Sequence, residues 1–373
     1  MDGGKLIATG SSSCVIRPMI PCKKGKNKIN DKRISKLISH KDSKNMMKYE
    51  KKQIKLIKNI KGYKNWCILY DEYCKAPEYE ELVKYDPEGI HDCYQEIDYH
   101  PNSYLLNSKY GGKTMLDVFR NKFENISTNN IKNEFLDFMI MMKPLFYGVQ
   151  QMNNHGVIHN DIKYNNVVLD NGDFKFIDFG LTSSINDKHN FKERGIYEYN
   201  TDRLYLYYPL DYIFYYINDK ERINEEFTIY NRNDYDILNM VYLSFNRSIP
   251  SVLQKHIRQM KNNEIKEIDM INGIDVYGLG IIVPLLINLF SNILYNEHPI
   301  INQFYNLFYK MTDTIDKRIK PDKAYKEYLK LISKYTHKRQ KKYYHSKKSK
   351  KKQSGGRNNN ITIIRNIFIK ANT

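Results

Sequence analysis

Apolar positions recur along this chain with two periods. Met46, Met47, Ile54, Leu56, Ile57 and Ile60 stand among lysines at helical spacing, which predicts a helix from Ser43 to Ile60. A second, longer helix is predicted from Asn133 to Asn153, where Phe135, Phe138, Met139, Met142, Leu145, Phe146 and Val149 share a stripe. A short one is expected over Thr114 to Phe123, and amphipathic helices over Ile300 to Tyr335. Short apolar or alternating runs predict strands at Lys5-Leu6-Ile7, Arg33 to Ile38, Trp66 to Tyr70 and Tyr104-Leu105-Leu106. Val167-Val168-Leu169 and Phe174, Phe176 and Ile177 flank the turn Asp170-Asn171-Gly172-Asp173 and read as a hairpin. Gly278 to Phe290 is apolar, too short to span a bilayer and interrupted by Pro284, so it reads as a buried helix and no transmembrane segment is expected.

Polar stretches divide these elements. Residues 71–98 are acidic, poor in strand signal and contain Pro77 and Pro87, which predicts a solvated inserted loop. Net charge is +18 over 373 residues, but nine Lys or Arg and no acid lie between Lys338 and Lys352. That run carries half of the excess, and the tail, residues 337–373, reads as disordered. It is a candidate contact for nucleic acid or an acidic partner, while the rest is too weakly basic for a general nucleic-acid binder. The five cysteines form no C-x-x-C pair, and the N-terminus has no apolar targeting run. Reduced thiols are expected, in a protein that is not secreted.

The candidate chemistry lies between His155 and Leu181. Asp161, Asn166 and Asp178 stand at strand ends of one hairpin unit, and their oxygen donors suit Mg²⁺, with Mn²⁺ as the alternative ion. The run His159-Asn160-Asp161-Ile162-Lys163-Tyr164-Asn165-Asn166 followed by Asp178-Phe179-Gly180 resembles the H-R-D-L-x-x-x-N and D-F-G signatures of protein kinases. The resemblance implies that Asp161 is the base for the acceptor hydroxyl, that Asn166 and Asp178 hold the metal, and that Lys163 lies near the γ-phosphate of ATP. Asn160 replaces the usual Arg, which removes one contact for an activation-loop phosphate.

The same resemblance extends to the N-terminal part. Ala8, Gly10, Ser13 and Val15 fall where the family has its glycine-rich loop, with only Gly10 retained. Small residues there let backbone N–H groups approach phosphates. Lys36 is placed like the phosphate-binding strand lysine, with Lys32 as its competitor, and Glu50 like its helix partner. Ile54 is expected to pack toward Phe179, Leu106 at the back of the adenine pocket, Val168 with the nucleotide, and Asn107 to Gly112 as the hinge. Asp211 and Arg318 are expected to form a buried structural pair. Asp275 is expected to accept backbone N–H bonds from the catalytic loop.

The implied fold is α+β and bilobal: a small N-lobe sheet with one helix over 1–112, and a larger, mainly helical C-lobe over 113–336 with an insert at about 212–270. The implied activity is transfer of the γ-phosphoryl group of ATP to Ser or Thr of a protein, in the cytoplasm or nucleus of a host cell or in a virion. The degraded signatures and AT-rich coding bias resemble divergent kinases of large DNA viruses. A pseudokinase scaffold and a small-molecule phosphotransferase of the aminoglycoside or choline type are the alternatives.

Overall fold

A computed structural model describes residues 5–10, 13–24, 30–97, 100–124, 126–201, 204–217, 232–290 and 299–335. The basic tail and Ser11-Ser12 therefore lie outside the described residues, as does the proposed partner contact at 338–352. Residues 1–329 form one compact unit and 330–373 a second.

The N-terminal half of the large unit is built on an antiparallel sheet. Its strands are β1 (Lys5–Gly10), β2 (Ser13–Arg17), β3 (Arg33–Ile38), β4 (Glu72–Lys75) and β5 (Tyr104–Lys109), in the order β1-β2-β3-β5-β4. Helix α1 (Ser43–Lys58) follows β3. Side chains alternate across the sheet. Val15, Lys36 and Leu106 are opposite one another in register, and so are Cys14, Leu37 and Leu105 one step along.

The second set is covered, and here the structure corrects two expectations. Residues 71–98 are no solvated loop. After β4 they form α2 (Tyr79–Tyr85) and α3 (Pro87–Glu96). Leu82, Ile90, Cys93 and Ile97 are buried against Cys14, Ile16, Leu37 and Leu105 in a separate apolar cluster. Pro87 starts α3 rather than breaking it, and Asp86 caps it by accepting from the Gly89 N–H at 2.9 Å. Nor are the thiols all reduced: Cys14 is bonded to Cys93 and Cys22 to Cys74, and only Cys67 is free. Folding α3 onto the sheet brings together cysteines 79 positions apart.

Two other boundaries differ. Residues 66–70 form no sheet strand; Trp66 is buried, Cys67 bridges Phe176, and the edge strand begins at Glu72 instead. Asn107, Ser108 and Lys109 still belong to β5, so the connection between the halves is the short stretch after Lys109.

The remainder is mainly helical. Helix α4 (Met115–Phe123) opens with a capping box between Thr114 and Asp117. The expected long helix is two, α5 (Thr128–Met141) and α6 (Lys143–Asn154), divided at Met142, where Pro144 enters the first turn of α6. The hairpin follows: β6 (Val157–Ile158), β7 (Val167–Asp170) and β8 (Asp173–Phe176), with β9 (Ser183–Ser184) pairing β6. Its turn has positive φ at Asn171 and Gly172, as a mirror-image two-residue turn requires. Then come α7 (Lys188–Tyr199), α8 (Leu210–Tyr215), α9 (Arg232–Ser244), α10 (Ile249–Lys261), α11 (Glu267–Phe290) and α12 (Pro299–Met311), with a last helix, α13, over 321–335. The insert contributes two described helices, α9 and α10.

Helix α11 starts earlier than its apolar run suggested and, at 24 residues, is long and apolar enough to cross a membrane by composition. Its most apolar stretch is 83% buried inside the fold, so it is the central core helix. Gly278 lets it approach the catalytic loop, because a Cβ there would stand 3.1 Å from the Ile162 carbonyl oxygen.

Candidate active site

Lys36 is the centre of the N-lobe side of the site. β3 carries it toward Glu50 and Asp178, while Lys32 is exposed and its backbone N–H donates to Asn30 Oδ1. Its ammonium donates to both Glu50 carboxylate oxygens at 3.2 Å and to Asp178 Oδ1 at 3.2 Å. Tyr70, unremarked in the sequence, places its ring beneath the same ammonium. Burial opposes the charge on Lys36, but the Asp178 and Glu50 carboxylates outweigh it and raise its pKa well above the lysine range. Burial raises the Glu50 carboxyl, partly offset by Lys36, whereas at Asp178 the Lys36 charge overrides burial and holds the carboxylate ionised. Two carboxylates around one cation leave surplus negative charge.

The catalytic loop is held from below by charge and backbone. Asp275, on α11, accepts the His159 N–H at 2.7 Å and the Asn160 N–H at 3.0 Å, as expected. Asn160 and Asp178 both have positive φ, a conformation that L-residues rarely adopt away from functional turns. At Asp178 it accompanies a side chain that opens onto the cleft, 39% accessible, beside a buried Phe179. Phe179 packs on His159 and Trp66. Ile54 is buried, as is Phe179.

Asp161, Lys163 and Asn166 meet at one carboxylate. Asn166 Nδ2 donates to Asp161 Oδ2 at 2.7 Å and to the Asp161 carbonyl at 2.9 Å, and Lys163 donates to Oδ2 at 3.0 Å. With its nitrogen so committed, Asn166 presents its amide oxygen as the ligand end. That oxygen, the Asp178 carboxylate and the surplus charge fit a hard divalent cation. Among the described residues no cluster of three or more His, Cys, Asp or Glu forms a metal site.

Ala8, Gly10, Ser13 and Val15 lie on the β1–β2 hairpin, with Ala8 paired to Val15 and Gly10 to Ser13. Val15 shares register with Lys36. Val168 meets the interlobe connection: it bridges Thr114, and a Cβ on Gly111 would fall 2.5 Å from its methyl group. The structure thus brings together Lys36, Glu50 and Asp178, and separately Asp161, Lys163 and Asn166.

Sequence reasoning missed Tyr205, whose hydroxyl donates to Asp161 Oδ1, and Arg194, whose guanidinium lies over the rings of Tyr205 and Tyr208. Tyr208 donates to the Asn160 carbonyl at 2.6 Å. The one available signal was the tyrosine density of 205–208. Asp211 and Arg318 form the expected buried pair, at 2.5 and 3.2 Å, with His256 of the insert beside them.

This arrangement of a strand lysine, a helix glutamate and a paired-carboxylate loop is that of a phosphotransferase built on two lobes. The protein kinase domain family matches residues 23–205, from after the β1–β2 hairpin to Tyr205. The match identifies a protein kinase domain in those residues, just under half of the chain. The chain is 48% identical over 44 residues, 12% of its length, to the serine/threonine-protein kinase ste20 of Aspergillus oryzae. It is 28% identical over 89 residues, 24% of its length, to the CTD kinase subunit alpha of Saccharomyces cerevisiae. These stretches span only 5% and 16% of those proteins.

Proposed function

We propose that this protein is an active serine/threonine kinase that transfers the γ-phosphoryl group of ATP to a protein hydroxyl. The observation that carries the reading is the formed Lys36–Glu50 pair with Asp178 at 3.2 Å from the same ammonium. In this reading Lys36 binds the α- and β-phosphates and Glu50 fixes its direction. Ala8, Gly10 and Ser13 present backbone to the phosphates, while Val15 and Val168 enclose the adenine. Asn166 and Asp178 hold Mg²⁺, which would supply charge neutralisation on the phosphate oxygens. Lys163 stays beside Asp161 and balances the charge of the transferring group. Asp161 orients the acceptor hydroxyl and takes its proton. Lys163 and the short likeness to a serine/threonine kinase support Ser or Thr as the external acceptor.

The test is phosphotransfer from labelled ATP, with Mg²⁺, to protein substrates, the native chain beside Asp161→Asn. Loss of the general base lowers turnover by about 10²–10⁴-fold. Undiminished transfer in Asp161→Asn ends the assignment of the base. ATP binding with no transfer by the native chain replaces the reading with a scaffold. Acid hydrolysis of the product distinguishes phosphoserine and phosphothreonine from phosphotyrosine.

A further inference from the structure

The β1–β2 hairpin is tied to the sheet along one side. β1 is the edge strand, its outer side pairs with no strand among the described residues, and its register on β2 shifts between Leu6 and Ala8. Such an interrupted ladder holds an edge strand less firmly. Alternation along β2 sets Ser13 and Val15 on one face and Cys14 and Ile16 on the other, where both are fully buried under the cap. Helix α3 passes close by, since a Cβ on Gly89 would stand 3.0 Å from the Leu6 backbone nitrogen. The same helix carries Cys93, which is bonded to Cys14. That bond enters β2 between Ser13 and Val15, the one set against the phosphates and the other against the adenine in the reading above. The second disulfide, Cys22–Cys74, is only half-buried and joins the chain after β2 to β4.

We propose that α3 is a positioning clamp on the nucleotide hairpin, and that the Cys14–Cys93 bond fixes Ser13 and Val15 for ATP, an inference that rests on the nucleotide reading above. Without the clamp, ATP must order the hairpin as it binds; with it, the ordering is already done and affinity rises. The phosphoryl step itself uses Lys36, Asp161, Asn166 and Asp178, none of which lies on the hairpin. Opening the clamp therefore weakens ATP binding and leaves turnover at saturating ATP alone. A dithiol opens it by supplying two electrons: the sulfur–sulfur bond breaks, each cysteine sulfur takes a proton, and the reductant leaves as its own disulfide. Access governs the order of reduction, so the half-buried Cys22–Cys74 bond goes first and the buried Cys14–Cys93 bond second.

The experiment uses the full chain with Mg²⁺, at a temperature where circular dichroism shows each variant folded. Direct binding of labelled ATP gives Kd, and transfer to a protein substrate gives KM and kcat. Cys93→Ala, which keeps an apolar helix former in α3, raises Kd and KM for ATP by about tenfold with kcat changed by less than about twofold. In the native chain a dithiol weakens ATP binding only as Cys14 and Cys93 become free thiols, and reoxidation restores it. The double variant Cys22→Ser with Cys74→Ser binds ATP like the native chain. Unchanged Kd in Cys93→Ala overturns the proposal. A lower kcat at unchanged KM also overturns it, because loss of folded molecules alone has that effect. An equal rise in Kd on removing Cys22–Cys74 overturns it too, since the whole sheet would then be loosened. ATP binding without transfer by the native chain ends the kinase reading, while the Kd comparison still decides the clamp. A native chain that binds no ATP removes both.

Discussion

Two regions support the cleft from opposite sides, and they do so by different physics. Above it, α2 and α3 cover the outer face of the sheet with an apolar layer of Leu82, Ile90, Cys93 and Ile97, joined to β2 by the Cys14–Cys93 disulfide, while Cys22–Cys74 ties β4 to the chain after β2. Below it, the catalytic loop and α8 are held by buried charge: Asp275 on two backbone N–H groups, and Asp211 on Arg318 with His256 alongside. Apolar burial and covalent cross-links are indifferent to pH, whereas buried ionic groups depend on every partner remaining in its charge state. The upper support therefore responds to redox conditions and the lower one to acid.

The largest expected effect lies in the lower region. Arg318 is buried, and Gly273 makes room for it, since a Cβ there would stand 2.6 Å from Nη1. Arg318→Met strands the Asp211 carboxylate in the interior, which costs about 3–5 kcal/mol. Denaturant unfolding measures it. Adding Asp211→Asn to the same chain recovers part of the loss if the two act as a pair, and none if they act independently.

Next comes the upper region. Cys93→Ser removes the bond to Cys14 and is expected to cost about 2–4 kcal/mol, the usual contribution of one disulfide. A dithiol reductant produces at least the same shift in the native chain and little further shift in a variant lacking both bonds. Equal melting temperatures with and without reductant, with free thiols found at Cys14 and Cys93, would show that the cap is held by packing alone.

The contrast between the regions also explains what was legible beforehand. The catalytic loop could be read because Asp161, Lys163 and Asn166 stand at fixed short spacing before a strand, and local geometry then brings them to one carboxylate. Lys36 could be preferred over Lys32 because it lies inside the strand run Arg33–Ile38, whereas Lys32 precedes it. Asp211 and Arg318, 107 positions apart, were recoverable only through resemblance. The cap was hidden by its acids: charge dominated the composition of 71–98 and masked the helical spacing of Leu82, Ile90, Cys93 and Ile97. Disulfide partners and the Tyr205–Asp161 contact depend on the folded path of the chain, which no local pattern encodes. The break at Met142 was written in Pro144 and outweighed by the apolar stripe running across it.

A smaller effect separates the regions by pH. Burial lowers the His256 pKa to about 4, with Asp211 favouring the charged form and Arg318 and Lys255 opposing it. The folded chain thus keeps His256 neutral while the unfolded chain protonates it at about pH 6.5. Stability is whole above pH 6.5 and falls as the pH drops toward 4, by about 2 kcal/mol at pH 5 from this group. His256→Gln flattens that part of the profile, whereas Cys93→Ser lowers the whole curve without changing its slope there. An unchanged slope in His256→Gln would move the acid sensitivity to another group.

The smallest effect tests the joint between the regions. Thr114 begins α4 where the chain passes from the sheet to the helices, accepting the Asp117 N–H at 3.2 Å and bridging Val168 through its backbone. Thr114→Ala leaves that N–H without its cap and is expected to cost about 1 kcal/mol. Because the backbone bridge to Val168 survives the substitution, the loss belongs to the helix start and not to the adenine wall. ATP affinity should therefore change by less than about threefold while the unfolding midpoint moves. A fall in affinity larger than the fall in stability would mean that the cap positions Val168, and that the joint belongs to the nucleotide site rather than to its supports.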